Sequence, residues 1–233
     1  MKIAILIYNG MTFLDAIGPY EVLSQLPNVD VKFVAKKRGN IKADTGFAHL
    51  KATHNFNEVT EADILLIPGS TIAFLTVMKD KKTLDWIRKI DTTTEYTTTV
   101  CSGSLILAAT GLLNGLEATS HWKSIDLLKE YHAIPIRNRI VQEGKYITAA
   151  GVSAGIDMAL YLCDSLVGED ETKAIQLMLE YDPKPIYNAG NFETCEPDII
   201  KIAERKLVKN AKKELSLLQM FKNRKILKTN KTT

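Results

Sequence analysis

With 233 residues, 45% hydrophobic and 24% charged, the chain has the balance of an ordinary globular protein able to bury one large core. Its three cysteines, Cys101, Cys163 and Cys195, are odd in number and far apart, which excludes a disulfide framework or a cysteine zinc site and suits a reducing cytoplasm. The net charge of +3 is uneven. From Pro197 to Thr233 there are 11 Lys or Arg against 3 Asp or Glu, so the body is mildly acidic and the basicity lies in the tail. Such a tail reads as a solvated helix face, with nucleic acid not the expected partner.

In chain order, Lys2–Tyr8 reads as a buried strand. No basic region leads into a long apolar run and cleavage site, so neither a signal peptide nor a membrane span is expected. A loop from Asn9 runs into a helix that ends near Leu26-Pro27. Asp15 lies within it among Phe13, Leu14, Ala16 and Ile17, where a carboxylate is either a helix cap or held for chemistry; local sequence favours the cap. A strand over Val31–Ala35 precedes a small hairpin or pair of short strands over Ile41–Leu50. Ala62–Ile67 is another buried strand, opening into the turn Gly69-Ser70-Thr71. Helical spacing returns over Leu75–Met78 and Leu84–Ile90.

The stretch Tyr96-Thr97-Thr98-Thr99-Val100 is aromatic or β-branched and reads as a strand. From Ser102 the chain turns to small residues, Leu and Ala, a helix closed by Gly111. Cys101 therefore sits at a strand-to-helix elbow, where the following backbone N–H groups point at a reactant and the helix N-terminus is expected to lower the thiol pKa. A two-turn helix over Ser124–Tyr131 and a hairpin over Arg139–Thr148 with a Glu-Gly turn follow. Helices are then expected over Ile156–Val167, with Cys163 in the core, and over Glu169–Tyr181. One or two amphipathic helices span Pro197 to about Leu227, with fraying from Lys228. The alternation predicts an α/β protein, a mostly parallel sheet with helices on both faces. Its reactive loops gather at the carboxyl ends of the strands, where those of Asp15, Gly69-Ser70-Thr71 and Cys101 can converge. Two regions are expected, an α/β domain over 1–195 and a basic helical extension over 196–233 packed on that domain or on a dimer partner.

Six motifs carry a resemblance: Phe13-Leu14-Asp15-Ala16-Ile17-Gly18-Pro19, Leu66-Ile67-Pro68-Gly69, Val100-Cys101-Ser102-Gly103-Ser104, Gly111–Gly115 with Ala118-Thr119-Ser120-His121-Trp122, Gly151–Asp157, and Gln176–Tyr181. In these the chain resembles the ThiJ/PfpI superfamily, related in fold to class I glutamine amidotransferases, and within it the isonitrile hydratase branch. The resemblance implies a flavodoxin-like three-layer sandwich, a homodimer, a small-molecule substrate and no metal or organic cofactor. It also implies that Cys101 is the nucleophile and Asp15 its acid–base partner, against the local preference for a cap. Substrate or anion would then meet Gly69, Ser70, Gly151 and Val152, with the Ser102 hydroxyl within reach of the reacting groups. The reaction implied is addition of water to an isonitrile, giving an N-substituted formamide.

Three departures stand out. The family's Pro-Gly-Gly is Pro68-Gly69-Ser70 here, and Ser in place of Gly is expected to restrict that loop. Isonitrile hydratases carry Thr at the position of Ser102. Protease-like members have His directly after the cysteine, which this chain lacks, disfavouring proteolysis. His121 reads as a structural hydrogen-bonding residue rather than a catalytic one. The alternatives are an amidase-, protease- or glyoxalase-like hydrolase, and a ligand- or redox-sensing domain without turnover.

Overall fold

The computed structural model describes the backbone of residues 1–229 and the side chains through Leu215. β1 (Lys2–Leu6) leads into α1 (Phe13–Leu23) and β2 (Asp30–Ala35). The hairpin β3 (Gly39–Lys42) and β4 (His49–Ala52), β5 (His54–Asn55) and β6 (Ile64–Ile67) follow. Next come α2 (Phe74–Val77), α3 (Lys81–Asp91), β7 (Tyr96–Val100) and α4 (Gly103–Ala108). β8 (Glu117–Ala118), a 3-10 turn over Ile125–Tyr131, β9 (Ile134–Pro135), β10 (Ile140–Glu143) and β11 (Tyr146–Ala149) lead to α5 (Ala154–Val167), α6 (Glu169–Met178) and α7 (Pro197–Thr229).

Seven strands form one sheet in the order β10-β11-β7-β6-β1-β2-β5, with every pair parallel except the β10–β11 hairpin. The period of two along each strand divides its side chains between two cores. Ile3, Ile5, Ile64 and Leu66 pack with Val22, Leu23, Met158 and Leu162 of α1 and α5. Their neighbours Ala4, Leu6, Leu65 and Ile67 pack on the other face with Phe74, Ile87, Ile90 and Leu105–Leu107 of α2, α3 and α4. Burial on both faces explains the near-continuous apolar runs of β1 and β6, as parallel sheets require. The result is a three-layer α/β/α sandwich.

Most expected elements are present with shifted ends. The segment over Ser124–Tyr131 is a 3-10 turn instead of an α-helix, closing at His132 in a left-handed conformation with φ 60°. The two-residue strands β5, β8 and β9 are too short to show any periodicity and were not expected. α7 is one continuous helix through Thr229. The fraying expected from Lys228 otherwise concerns Asn230–Thr233, outside the described residues. The chain divides into two compact units, Met1–Asp182 and Pro183–Thr233. The division precedes the boundary at 195 read from the sequence, at the first of two prolines, Pro183 and Pro185, that cannot continue a helix.

At the amino end of the sheet, opposite the elbow, Asp91 is buried in a polar cluster. Its Oδ1 accepts from Thr97 Oγ1 at 2.7 Å, and its Oδ2 from Tyr146 OH at 3.2 Å and Lys145 Nζ at 3.0 Å. Burial, with the Asp91 charge and hydrogen bond beside it, pushes the Tyr146 phenol up to about 12. Asp91→Ala leaves Thr97, Lys145 and Tyr146 without that acceptor. Denaturant melts of this variant are expected to show a loss of about 3 kcal/mol, the scale for breaking a buried pair by deleting one partner.

Candidate active site

β7 ends at Val100, and the chain reverses at Cys101, whose φ of 59° lies in the left-handed region that a side chain enters at a cost. The cost is met by hydrogen bonds on every side of the residue. The Cys101 N–H donates to the carbonyls of Ala149 at 3.0 Å and Ala150 at 2.8 Å. Its carbonyl accepts from the hydroxyls of Ser104 at 3.2 Å and Ser120 at 3.1 Å. The elbow is therefore pinned to the end of β11 and to the loop after β8. Ser104 lay inside the recognised motif without an assigned role, and Ser120 acts across 19 residues of sequence.

The next turn presses against β6. A Cβ on Gly103 would stand 2.1 Å from the Ile67 carbonyl oxygen, and one on Gly69 2.5 Å from the Ser102 nitrogen. The Ser102 hydroxyl accepts from the Ser70 N–H at 2.9 Å and donates to the Ser70 carbonyl at 2.9 Å. It ties the elbow to the Gly69-Ser70 turn. The Ser70 side chain finds its own use: its Oγ accepts the Phe74 N–H at 2.6 Å at the start of α2, while its φ stays out of the left-handed region. Ser is thus accommodated where the family pattern has Gly.

Asp15 is fully buried on α1. The helix begins after Thr12, so Asp15 lies in its first turn and is not its cap. The Gly69 N–H donates to Asp15 Oδ2 at 3.0 Å, while Oδ1 has no hydrogen-bond partner among the described residues. The Cys101 thiol lies against the carboxyl. Burial raises the Asp15 pKa to about 7, against the opposing pull of the Gly69 N–H and the thiol, with the Asp44 charge adding to the rise.

Around the sulfur, the backbone N–H groups of Ser102 and Val152 hydrogen-bond the Cys101 side chain and favour the thiolate. Burial and the Asp15 charge outweigh them and hold the thiol well above its usual range. Burial thus opposes the lowering expected from the helix N-terminus. α4 is only six residues long, so its dipole is small beside the cost of removing a thiolate from water.

Gly69 and Ser70, expected to stabilise an anion, direct their N–H groups elsewhere in this structure. Their N–H groups are already engaged by Asp15 and Ser102. The N–H groups directed at the Cys101 sulfur belong to Ser102 and Val152. Gly151 leaves room for the His121 ring, whose Cδ2 would lie 3.2 Å from a Cβ there. His121 Nδ1 accepts the Lys123 N–H at 3.2 Å, so its neutral ring carries the proton on Nε2. Burial lowers its pKa and the ring rests against Trp122, with centroids 5.4 Å apart. Among the described residues no group of three or more His, Cys, Asp or Glu could hold a metal ion, and no helix is long and apolar enough to cross a membrane.

A strained cysteine at the carboxyl end of a central parallel strand, with a buried carboxyl against its sulfur, is the site of a nucleophile-elbow α/β protein. The DJ-1/PfpI family model matches residues 1–165, and the chain belongs to that family, with its flavodoxin-like fold. It is 38% identical over 212 residues to isonitrile hydratase of Pseudomonas putida, covering 91% of this chain and 92% of that one. Deglycase PfpI of Pyrococcus furiosus is 28% identical over 151 residues, 64% of this chain and 89% of its own. The crystal structure of a ThiJ/PfpI family protein from Pseudomonas syringae superposes with a TM-score of 0.86 at 36% identity, covering 93% of this chain and 89% of that one. These relatives support an enzyme of the DJ-1/PfpI family.

Proposed function

We propose that the protein hydrates small, uncharged isonitriles to N-substituted formamides by covalent catalysis at Cys101, with Asp15 moving the proton. The observation that carries this reading is the fully buried Asp15 carboxyl, with one oxygen lacking a partner, lying against a thiol whose proton it can take. The likeness to isonitrile hydratase over nine-tenths of both chains supports the substrate class.

The Cys101 thiol and the Asp15 carboxyl share one proton, and the pair titrates as a unit. As sulfur attacks the terminal isonitrile carbon, the thiol proton passes to Asp15 and then to that carbon. An S–C bond and a new C–H bond form, giving a thioimidate. Asp15, again a carboxylate, takes a proton from water as its oxygen joins the same carbon. The remaining O–H proton goes to nitrogen, the C–S bond breaks, and the departing sulfur recovers its proton from Asp15. Formamide leaves and the pair is restored. The Ser102 and Val152 N–H groups support negative charge on sulfur at attack and departure.

A redox-sensing role fits less well, because oxidation follows thiolate character and exposure. Cys101 is 5% exposed and its thiolate is disfavoured.

Formamide production from cyclohexyl isocyanide tests the reading. Wild type and His121→Ala are expected to form the product, and Cys101→Ala to form none. No product from wild type, with Cys101 still alkylated by iodoacetamide, would refute the substrate class and leave the nucleophile standing.

A further inference from the structure

The β3–β4 hairpin carries none of the motifs, yet its turn brings a second carboxylate to the loops that hold Asp15. Asp44 Oδ2 accepts from Thr12 Oγ1 at 2.9 Å and from Thr71 Oγ1 at 3.3 Å. Its Oδ1 accepts the Thr45 N–H at 2.7 Å, and its own N–H donates to the Met11 carbonyl at 3.0 Å. Thr12 immediately precedes α1, and its carbonyl accepts the Asp15 N–H at 3.2 Å. Thr71 follows the Gly69-Ser70 turn that supplies the N–H bound by Asp15 Oδ2. Thr12 and Gly69 are joined directly as well, by Thr12 N–H to the Gly69 carbonyl at 3.0 Å. One carboxylate thus grips, through two hydroxyls, both loops that meet in the Asp15–Gly69 hydrogen bond.

We propose that Asp44 is a positioning residue for Asp15: through Thr12 and Thr71 it clamps the two loops that orient the Asp15 carboxyl. This rests on the shared-proton reading of the pair. The groups that act on the Asp15 carboxyl are the Gly69 N–H, the Cys101 thiol and the Asp44 carboxylate. The first two favour its ionised form, and the Asp44 charge opposes it. Removing that charge while keeping an acceptor for the threonines moves the pair's titration to lower pH. Removing a threonine hydroxyl while keeping the charge loosens the clamp.

The test measures the pH dependence of Cys101 carbamidomethylation by iodoacetamide, quantified on the Cys101 peptide, so that it needs no isonitrile turnover. In Asp44→Asn the profile is expected to shift to lower pH. A folded Asp44→Asn protein with an unmoved profile would overturn the proposal. Thr12→Val is expected to slow alkylation at pH 7 about threefold by disturbing a hydrogen-bonded network. An unchanged rate in that variant would equally overturn it, even if Asp44→Asn could not be purified. If wild type forms no formamide while the Asp44→Asn profile shifts as expected, the substrate class is wrong and the role of Asp44 stands.

Discussion

Asp15→Asn is expected to lose turnover and at the same time to gain stability. A carboxyl with a folded pKa of about 7, against an ordinary value of 3.8, keeps its proton in the native state at pH values where the unfolded chain has released it. Native stability therefore falls as pH rises from about 4 to about 7 and is level above that. Asn keeps the acceptor for the Gly69 N–H and removes the ionisation. Urea denaturation is expected to show the variant more stable than wild type by ~1–3 kcal/mol at pH 8, with the gain vanishing near pH 4. Turnover falls by roughly 10²–10⁴, the scale of a lost general acid–base. Cys101→Ala loses more, on the order of 10⁴–10⁶, because the covalent route itself is gone. A variant that turned over normally, or gained nothing at pH 8, would contradict the assignment of Asp15.

The largest stability effect is expected from Gly103→Ala. The new methyl group would stand 2.1 Å from the Ile67 carbonyl oxygen and 3.0 Å from the carbonyl carbons of Ile67 and Pro68, all main-chain atoms of the central sheet or its exit. No side chain can rotate out of the way, so α4 or β6 must move. Overpacking of this kind costs ~3 kcal/mol or more, and here it displaces the elbow together with the core. The expected outcome is a protein that is largely insoluble or melts far below wild type. The folded fraction should show Cys101 alkylation like that of an unstructured thiol. A well-folded Gly103→Ala protein with an intact alkylation profile would mean the elbow has room that the geometry denies it.

The architecture was largely legible because its strands bury both faces and its turns carry Gly or Pro. β1, β6 and β7 could be read from β-branched and aliphatic runs, and the β10–β11 hairpin from its Glu143-Gly144 turn. The pairing of Cys101 with Asp15 came from motif resemblance, since local sequence around Asp15 pointed to a cap. What could not be read was who holds whom. The Gly69 and Ser70 amides looked available until the structure showed them bound to Asp15 and Ser102. The thiol was expected to be acidic because a helix follows it, and the sequence does not reveal how deeply the sulfur is buried. Ser120 lay in a recognised motif with no role attached to it, and Asp44 had no local signal, because each acts across a stretch of chain on a loop formed elsewhere.

The donors and acceptors that hold Cys101 at φ 59° have a consequence for how the chain acquires its chemistry. The acceptors for its N–H are Ala149, at the end of the hairpin that completes the sheet, and Ala150, and the sulfur's N–H partners include Val152 just after it. A strand–helix segment ending at α4 lacks the acceptors that hold this left-handed turn. The elbow geometry is complete only when β11 lies beside β7, a non-local pairing. The geometry around Cys101 is thus set by closure of the sheet and not by the strand–helix segment alone.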